Sequence, residues 1–214
     1  MGLVIGTPQH LHQDHPLVFI SGRSGLFAGN CSSVSTTGLM LDHLRHAHHM
    51  TGEHLIYPRT QAVHWWSKAY RELVAESLHS QIERLSGGFQ VDVVAHSLGC
   101  DAVREVMDHC PQQVFRRVVL IAPAMEQNVR WKRRRFEQML VLRNPKDAAI
   151  LAGAALPCHP FGMAGRDGFR TVDPRITQVV VPGDARIDWR GHNHYFHGAT
   201  RYAVGQMVEG FICG

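Results

Sequence analysis

The sequence predicts an α/β fold: three layers, doubly wound, around a mostly parallel six-stranded sheet. Two observations predict it. Six short runs are continuously β-branched or aliphatic, without the polar–apolar alternation of a sheet that has one wet face. Strands buried on both faces of a parallel sheet read this way. Between the runs lie stretches long enough for crossover helices, and strand–helix alternation winds helices onto both faces of one sheet.

The first strand is Leu17-Val18-Phe19-Ile20, ending in the loop Ser21-Gly22-Arg23-Ser24-Gly25. The region after Gly29 up to about Met50 suits a helix. A second strand, His54-Leu55-Ile56-Tyr57, is stopped by Pro58. The clearest helix spans about 63 to 85, where Trp66, Tyr70, Leu73, Val74, Ser77, Leu78 and Ile82 follow helical spacing. Gly87-Gly88 ends it. The third strand runs into Ser97, and a helix over residues 98 to 109 follows at once. Val118-Val119-Leu120-Ile121 is the fourth strand and Met139-Leu140-Val141-Leu142 the fifth. The sixth is Thr177-Gln178-Val179-Val180-Val181, closed by Pro182-Gly183. Ligands of such a fold lie beyond the carboxyl ends of the strands, and every motif below falls at one.

The run Val91-Asp92-Val93-Val94-Ala95-His96-Ser97-Leu98-Gly99 carries the most chemistry. An apolar strand stops at Ala95, and Ser97 sits inside a small-x-Ser-x-Gly frame that opens directly into a helix. This is the sequence form of a nucleophile elbow, whose tight turn requires tiny residues two before and two after the serine. Ala95 replaces the usual first glycine with the smallest side chain available. A serine that N-caps an ordinary helix has the same local sequence.

A serine hydroxyl needs a base within hydrogen-bond reach, itself held by a carboxylate. Asp147 follows the fifth strand in Arg143-Asn144-Pro145-Lys146-Asp147, as acid or as the N-cap of the stretch Ala148-Ala149-Ile150. After the sixth strand comes Trp189-Arg190-Gly191-His192-Asn193-His194-Tyr195-Phe196-His197. His192 follows a glycine and is the first choice for the base; His194 and His197 are the alternatives, as is a surface cluster with no catalytic role. The oxyanion would be met by the backbone N–H of Leu98, which comes with the elbow. A second donor is expected from the loop after the first strand, where Arg23 is chosen with Gly22 as its neighbour. That loop lacks the lysine of a phosphate-binding G-x-x-x-x-G-K-[ST] pattern, so no nucleotide cofactor is expected.

With these motifs in place the chain resembles the α/β-hydrolase superfamily from Leu17 to about Phe211. The order Ser97, Asp147, His192 matches that family's nucleophile, acid and histidine. Phe19-Ile20-Ser21-Gly22 looks like its strand-His-Gly oxyanion loop, with Ser21 in place of histidine. Ala95-His96-Ser97-Leu98-Gly99 looks like the elbow of small esterases and lipases, and Gly191-His192-Asn193-His194-Tyr195 is similar to the Gly-His-Ser-x-Tyr ending of small bacterial members. The resemblance implies cofactor-free hydrolysis of an ester, thioester or amide through an acyl-enzyme. Family members also include acyltransferases and inactive binding proteins.

The remaining expectations are coarser. At 214 residues the chain should form one domain over 1–214 with a minimal cap. The only candidate lid is Met125 to Gln138. It holds Arg130-Trp131-Lys132-Arg133-Arg134-Arg135, much of the net charge of +4. That run reads as a solvated helix face or as a peripheral contact with an anionic membrane, with Trp131 as anchor. One basic run with one aromatic lacks the spread footprint of a nucleic-acid face. The substrate is expected to be a small-molecule or lipid-like ester, met by Leu26, Phe27, Met125, Leu151, Leu156, Phe161 and Met163. The 5 cysteines, Cys31, Cys100, Cys110, Cys158 and Cys213, form no C-x-x-C pair and suggest reduced thiols in the cytoplasm. No signal peptide is legible at the N-terminus, and no stretch approaches the ~20 apolar residues of a membrane span. The 16 histidines include His10, His12 and His15, and His46, His48 and His49, which could chelate metal only opportunistically.

Overall fold

A computed structural model describes residues 15–21, 36–55, 67–132, 135–155, 162–181 and 192–214. Its elements are β1 (Leu17–Ser21), α1 (Thr36–His48), β2 (Glu53–Leu55), α2 (Lys68–Ser86), β3 (Val91–His96), α3 (Leu98–His109), β4 (Phe115–Ile121), β5 (Phe136–Arg143), α4 (Ala148–Ala155), α5 (Ala164–Asp167), β6 (Ile176–Val180), a 3₁₀ turn (His194–Phe196) and α6 (Gly198–Cys213). The six strands form one sheet in the order β2-β1-β3-β4-β5-β6. Every neighbouring pair is parallel.

The apolar runs bury both faces because alternate side chains point to opposite sides. Val18, Ile20, Val93, Ala95, Val118, Leu120, Met139 and Val141 pack with Val74, Leu78 and Ile82 of α2 and Val103 and Val106 of α3. Leu17, Phe19, Val94, Val119, Ile121, Leu140 and Leu142 pack with Met40 and Leu44 of α1 and Val204, Val208 and Ile212 of α6. Two apolar layers on one sheet produce the three-layer architecture.

Local chemistry sets the helix ends. Ser67 caps α2 by accepting the Tyr70 N–H at 3.4 Å, and Gly87 ends it in the left-handed region at φ 58°. The buried stripe of α2 is Val74, Ala75, Leu78, His79, Ile82 and Ser86. Leu73, expected on that stripe, is 51% exposed. The beginning of the expected helix, residues 63–66, and the Ile56-Tyr57 end of the second strand lie outside the described residues.

The segment expected as a lid takes another course. Met125 is buried in the α2/α3 layer, and Trp131 packs edge-on to Phe136 and Phe169 at centroid distances of 5.8 and 5.4 Å. Lys132 Nζ donates to the Asp108 carbonyl at 2.9 Å, and Arg135 donates to the Pro111 carbonyl. Residues 136–138 begin β5. Because β4 and β5 are parallel, the chain must return from the carboxyl end of one to the amino end of the other. The basic run therefore finishes at the amino ends of the strands, away from Ser97, and Trp131 packs there against Phe136 and Phe169. Arg133 and Arg134 lie outside the described residues.

Candidate active site

Ser97 follows the last residue of β3 and precedes the first of α3, at φ 56° and ψ −125°. Few non-glycine residues occupy positive φ, and holding one there costs about 1–3 kcal/mol. The neighbours enforce the turn. The Ser97 N–H donates to the Ile121 carbonyl at 3.0 Å, while the Ser97 carbonyl accepts from Cys100 and Ala124 N–H groups at 3.1 and 3.2 Å. The two small residues of the frame are explained by contact. Ala95 is fully buried between Ile20 and Leu120 of the flanking strands. A Cβ on Gly99 would stand 2.4 Å from the Ile20 carbonyl oxygen, so only glycine lets α3 approach β1 this closely. The Ser97 side chain makes no cap bond to α3, which removes the helix-cap reading.

Asp147 ends the turn after β5. Asn144 shapes that turn: its Oδ1 accepts the Lys146 N–H at 3.0 Å and its carbonyl accepts the Asp147 N–H at 3.0 Å. The fully buried Asp147 carboxylate then divides its oxygens. Oδ1 accepts the Ile150 N–H at 3.0 Å and so caps α4, while Oδ2 lies 2.8 Å from His192 Nδ1. One oxygen thus caps α4, and the other faces His192. His192 Nε2 lies 2.8 Å from Ser97 Oγ. The other two histidines have different settings. His194 is buried in the 3₁₀ turn with its ring 4.1 Å from that of Tyr195, and His197 is exposed at the amino cap of α6.

A serine hydroxyl, an imidazole and a buried carboxylate in one hydrogen-bonded line can move a proton from oxygen to nitrogen while the carboxylate holds the tautomer. Leu98 opens α3, where first-turn N–H groups lack intrahelical partners and attract an oxyanion. Gly22 and Arg23, the expected second donors, lie outside the described residues, as do Leu26, Phe27, Leu156 and Phe161 of the expected acyl pocket. Met125 is buried in the core, whereas Leu151 on α4 is 46% exposed. Gly162 and Gly165 let the chain around α5 press onto residues 122–126: a Cβ on Gly162 would meet the Met125 carbonyl oxygen at 2.4 Å, and one on Gly165 the Ala122 carbonyl carbon at 2.6 Å.

Two site residues escaped the sequence reading. His96, the variable position of the elbow, is buried with Nε2 3.1 Å from the His192 carbonyl oxygen. Burial, then the charge of His192, push its imidazole well below the ordinary 6.5. Tyr195 is fully buried, and burial, then Asp147, raise its phenol well above 10. Polar side chains in an apolar surrounding could have flagged them only once that surrounding was known. Among the described residues no group of three or more His, Cys, Asp or Glu is placed to hold a metal. Instead His48 of the second histidine cluster bonds Glu209 at 2.6 Å and ties α1 to α6. Cys100 and Cys110 are buried free thiols, and burial raises the pKa of both.

Comparison with known proteins bears on the family and the fold. A family model described as serine hydrolase matches residues 40–156. No curated protein matches the chain. Among solved structures, the predicted CIB-like hydrolase of Thermoplasma acidophilum is 12% identical, with a TM-score of 0.54 over 94% of this chain and 87% of that one. Carboxyl esterase 2 of the mycorrhizal fungus Tuber melanosporum is 13% identical, with a TM-score of 0.54 over 92% and 77%. An esterase of Pyrobaculum calidifontis is 16% identical, with a TM-score of 0.51 over 93% and 76%. At such identities the structural likeness speaks for the fold, while the sequence match spans more than half the chain and speaks for the family. The chain is a member of the serine hydrolase family, built on the α/β-hydrolase fold.

Proposed function

We propose that this protein hydrolyses a carboxylic ester of a small or lipid-like substrate through an acyl-enzyme, with Ser97 as nucleophile, His192 as base and Asp147 as acid. The observation that carries the reading is the pair of 2.8 Å contacts joining Ser97 Oγ, His192 and Asp147 Oδ2. The esterase names among the structural neighbours support an ester over an amide.

In the first step Ser97 Oγ attacks the acyl carbon and its proton passes to His192 Nε2. Asp147 accepts the Nδ1–H and stabilises the imidazolium that forms. The Leu98 N–H, with a second donor from the Gly22-Arg23 loop, receives the oxyanion; one such donor is typically worth about 10²–10³ in rate. The intermediate collapses, the alcohol leaves with the proton from His192, and the acyl group stays on Ser97. Water then attacks the acyl carbon, giving its proton to His192, which returns it to Ser97 Oγ as the acyl–Oγ bond breaks and the acid leaves.

A fluorophosphonate probe should label Ser97, and Ser97→Ala should abolish labelling. A panel of p-nitrophenyl esters of rising acyl length should show turnover with a length optimum. A folded parent protein that takes no label would overturn the reading in favour of a catalytically inactive binding protein. Labelling without turnover of any ester would redirect it to an amidase, thioesterase or acyltransferase.

A further inference from the structure

His96 touches His192 in two ways. Its Nε2 is 3.1 Å from the His192 carbonyl oxygen, and its ring lies 4.8 Å from the His192 ring at an interplanar angle of 40°. A carbonyl only accepts, so His96 Nε2 carries the proton and donates it. The same imidazole meets Phe196 of the following 3₁₀ turn edge-on at 4.8 Å. One side chain on β3, next to the nucleophile, thus grips the main chain and the ring of His192 and the turn behind it.

We propose that His96 is a positioning residue for His192, holding the main chain and ring of the base so that Nε2 and Nδ1 reach Ser97 and Asp147 together. This rests on His192 acting as the base. The contacts to Ser97 and Asp147 orient the ring, but neither restrains the backbone that carries it; the His96 bond does. A misplacement of about 1 Å can cost about 10²-fold in rate. The choice of histidine also has an electrostatic side. A positively charged ring 4.8 Å from that of His192 would oppose the imidazolium that forms when Ser97 gives up its proton. Burial keeps His96 neutral, so it can donate a hydrogen bond without adding a competing charge.

The test compares His96→Gln, whose amide nitrogen has nearly the reach of Nε2, with His96→Asn, one methylene shorter, and His96→Phe, a ring without a donor. With a p-nitrophenyl ester, His96→Asn and His96→Phe should lose about 10–10²-fold in kcat with KM nearly unchanged, while His96→Gln recovers most of it. Fluorophosphonate labelling of Ser97 should slow in the same proportion. In proton NMR the far-downfield signal of the His192 Nδ1–H facing Asp147 should persist in His96→Gln and broaden or vanish in His96→Asn. Equal impairment of His96→Gln and His96→Asn, a parental rate in His96→Asn, or a loss confined to KM would each overturn the proposal. If His96→Phe fails to fold, the Gln–Asn comparison decides alone. A parent protein that is not labelled at Ser97 sinks the underlying reading; a labelled parent with His96→Asn labelled equally fast sinks only the role of His96.

Discussion

The two oxygens of Asp147 have different partners, so stability and the proposed chemistry can be tested separately at one side chain. Its Oδ1 caps α4 through the Ile150 N–H, and its Oδ2 faces His192 Nδ1. Substitutions can split the two tasks. Asn caps a helix about as well as Asp, so Asp147→Asn should leave the melting temperature nearly unchanged. An amide facing Nδ1 favours the wrong imidazole tautomer, and ester turnover should fall by about 10⁴-fold. Asp147→Ala should lose turnover as well and also about 1 kcal/mol of stability, read from urea unfolding, because α4 loses its cap. A tight melting match between the Ala and Asn variants would show that the cap contributes nothing. Gly99 makes the complementary point, since its lack of a Cβ is what allows α3 to start against the Ile20 carbonyl.

At the scale of elements, the sheet holds α6 through charge. Asp92 on β3 is fully buried and accepts from Arg116 Nε at 2.9 Å and from the Arg117 N–H at 3.1 Å, both on β4. Arg116 in turn donates to the Ile212 carbonyl at 2.8 Å, and Arg117 to that of Phe211. Two guanidinium groups thereby meet the carboxyl end of α6, where orphan carbonyls and the helix dipole favour cations. The bond to Asp92, outweighing burial, raises the Arg116 pKa further. Asp92→Ala would leave a half-buried guanidinium without its carboxylate, and breaking such a pair costs about 3–5 kcal/mol. The urea midpoint should fall accordingly, with the slope unchanged if the loss lies in the native state. This network also explains why β4 extends back to Phe115, beyond the apolar run Val118–Ile121: the charged residues Arg116 and Arg117 find partners at the sheet's amino end.

For the molecule as a whole, two histidines with lowered pKa among the described residues make stability respond to acid. Burial and the nearby His192 hold His96 well below 6.5, and burial, His48 and Arg201 lower His43. Both regain an ordinary value near 6.5 in the unfolded chain. Below that pH the unfolded chain binds protons that the folded chain refuses, so this stability is present above pH 6.5 and is lost as the pH falls. The slope approaches about 1.4 kcal/mol per pH unit for each histidine while only the unfolded chain takes the proton. Unfolding free energies measured from neutral to mildly acidic pH should fall less steeply in His96→Gln than in the parent. Identical slopes would show that His96 titrates alike in both states.

How much was legible in the sequence follows from the range over which each feature is decided. The six apolar runs, the small-x-Ser-x-Gly frame and the order Ser97, Asp147, His192 are local, because periodicity, turn sterics and chain order are written in neighbouring residues. They determined a parallel sheet, a strained serine at a strand end and the residues that come together there. The course of Met125 to Gln138 was not local. A basic, aromatic stretch reads as a lid until the sheet shows that it must descend to the amino end of β5, where Trp131 finds Phe136 and Phe169. The selection of His192 from three histidines was likewise tertiary: only the fold brings residues 45 and 95 positions away to 2.8 Å. His96 is the clearest case. In sequence it fills a position that tolerates any residue, and its part emerged only when β3 met the carbonyl of a loop 96 residues later. Motifs are held by backbone geometry, which nearby residues dictate, whereas the partners of a side chain are chosen by burial, which the whole chain decides.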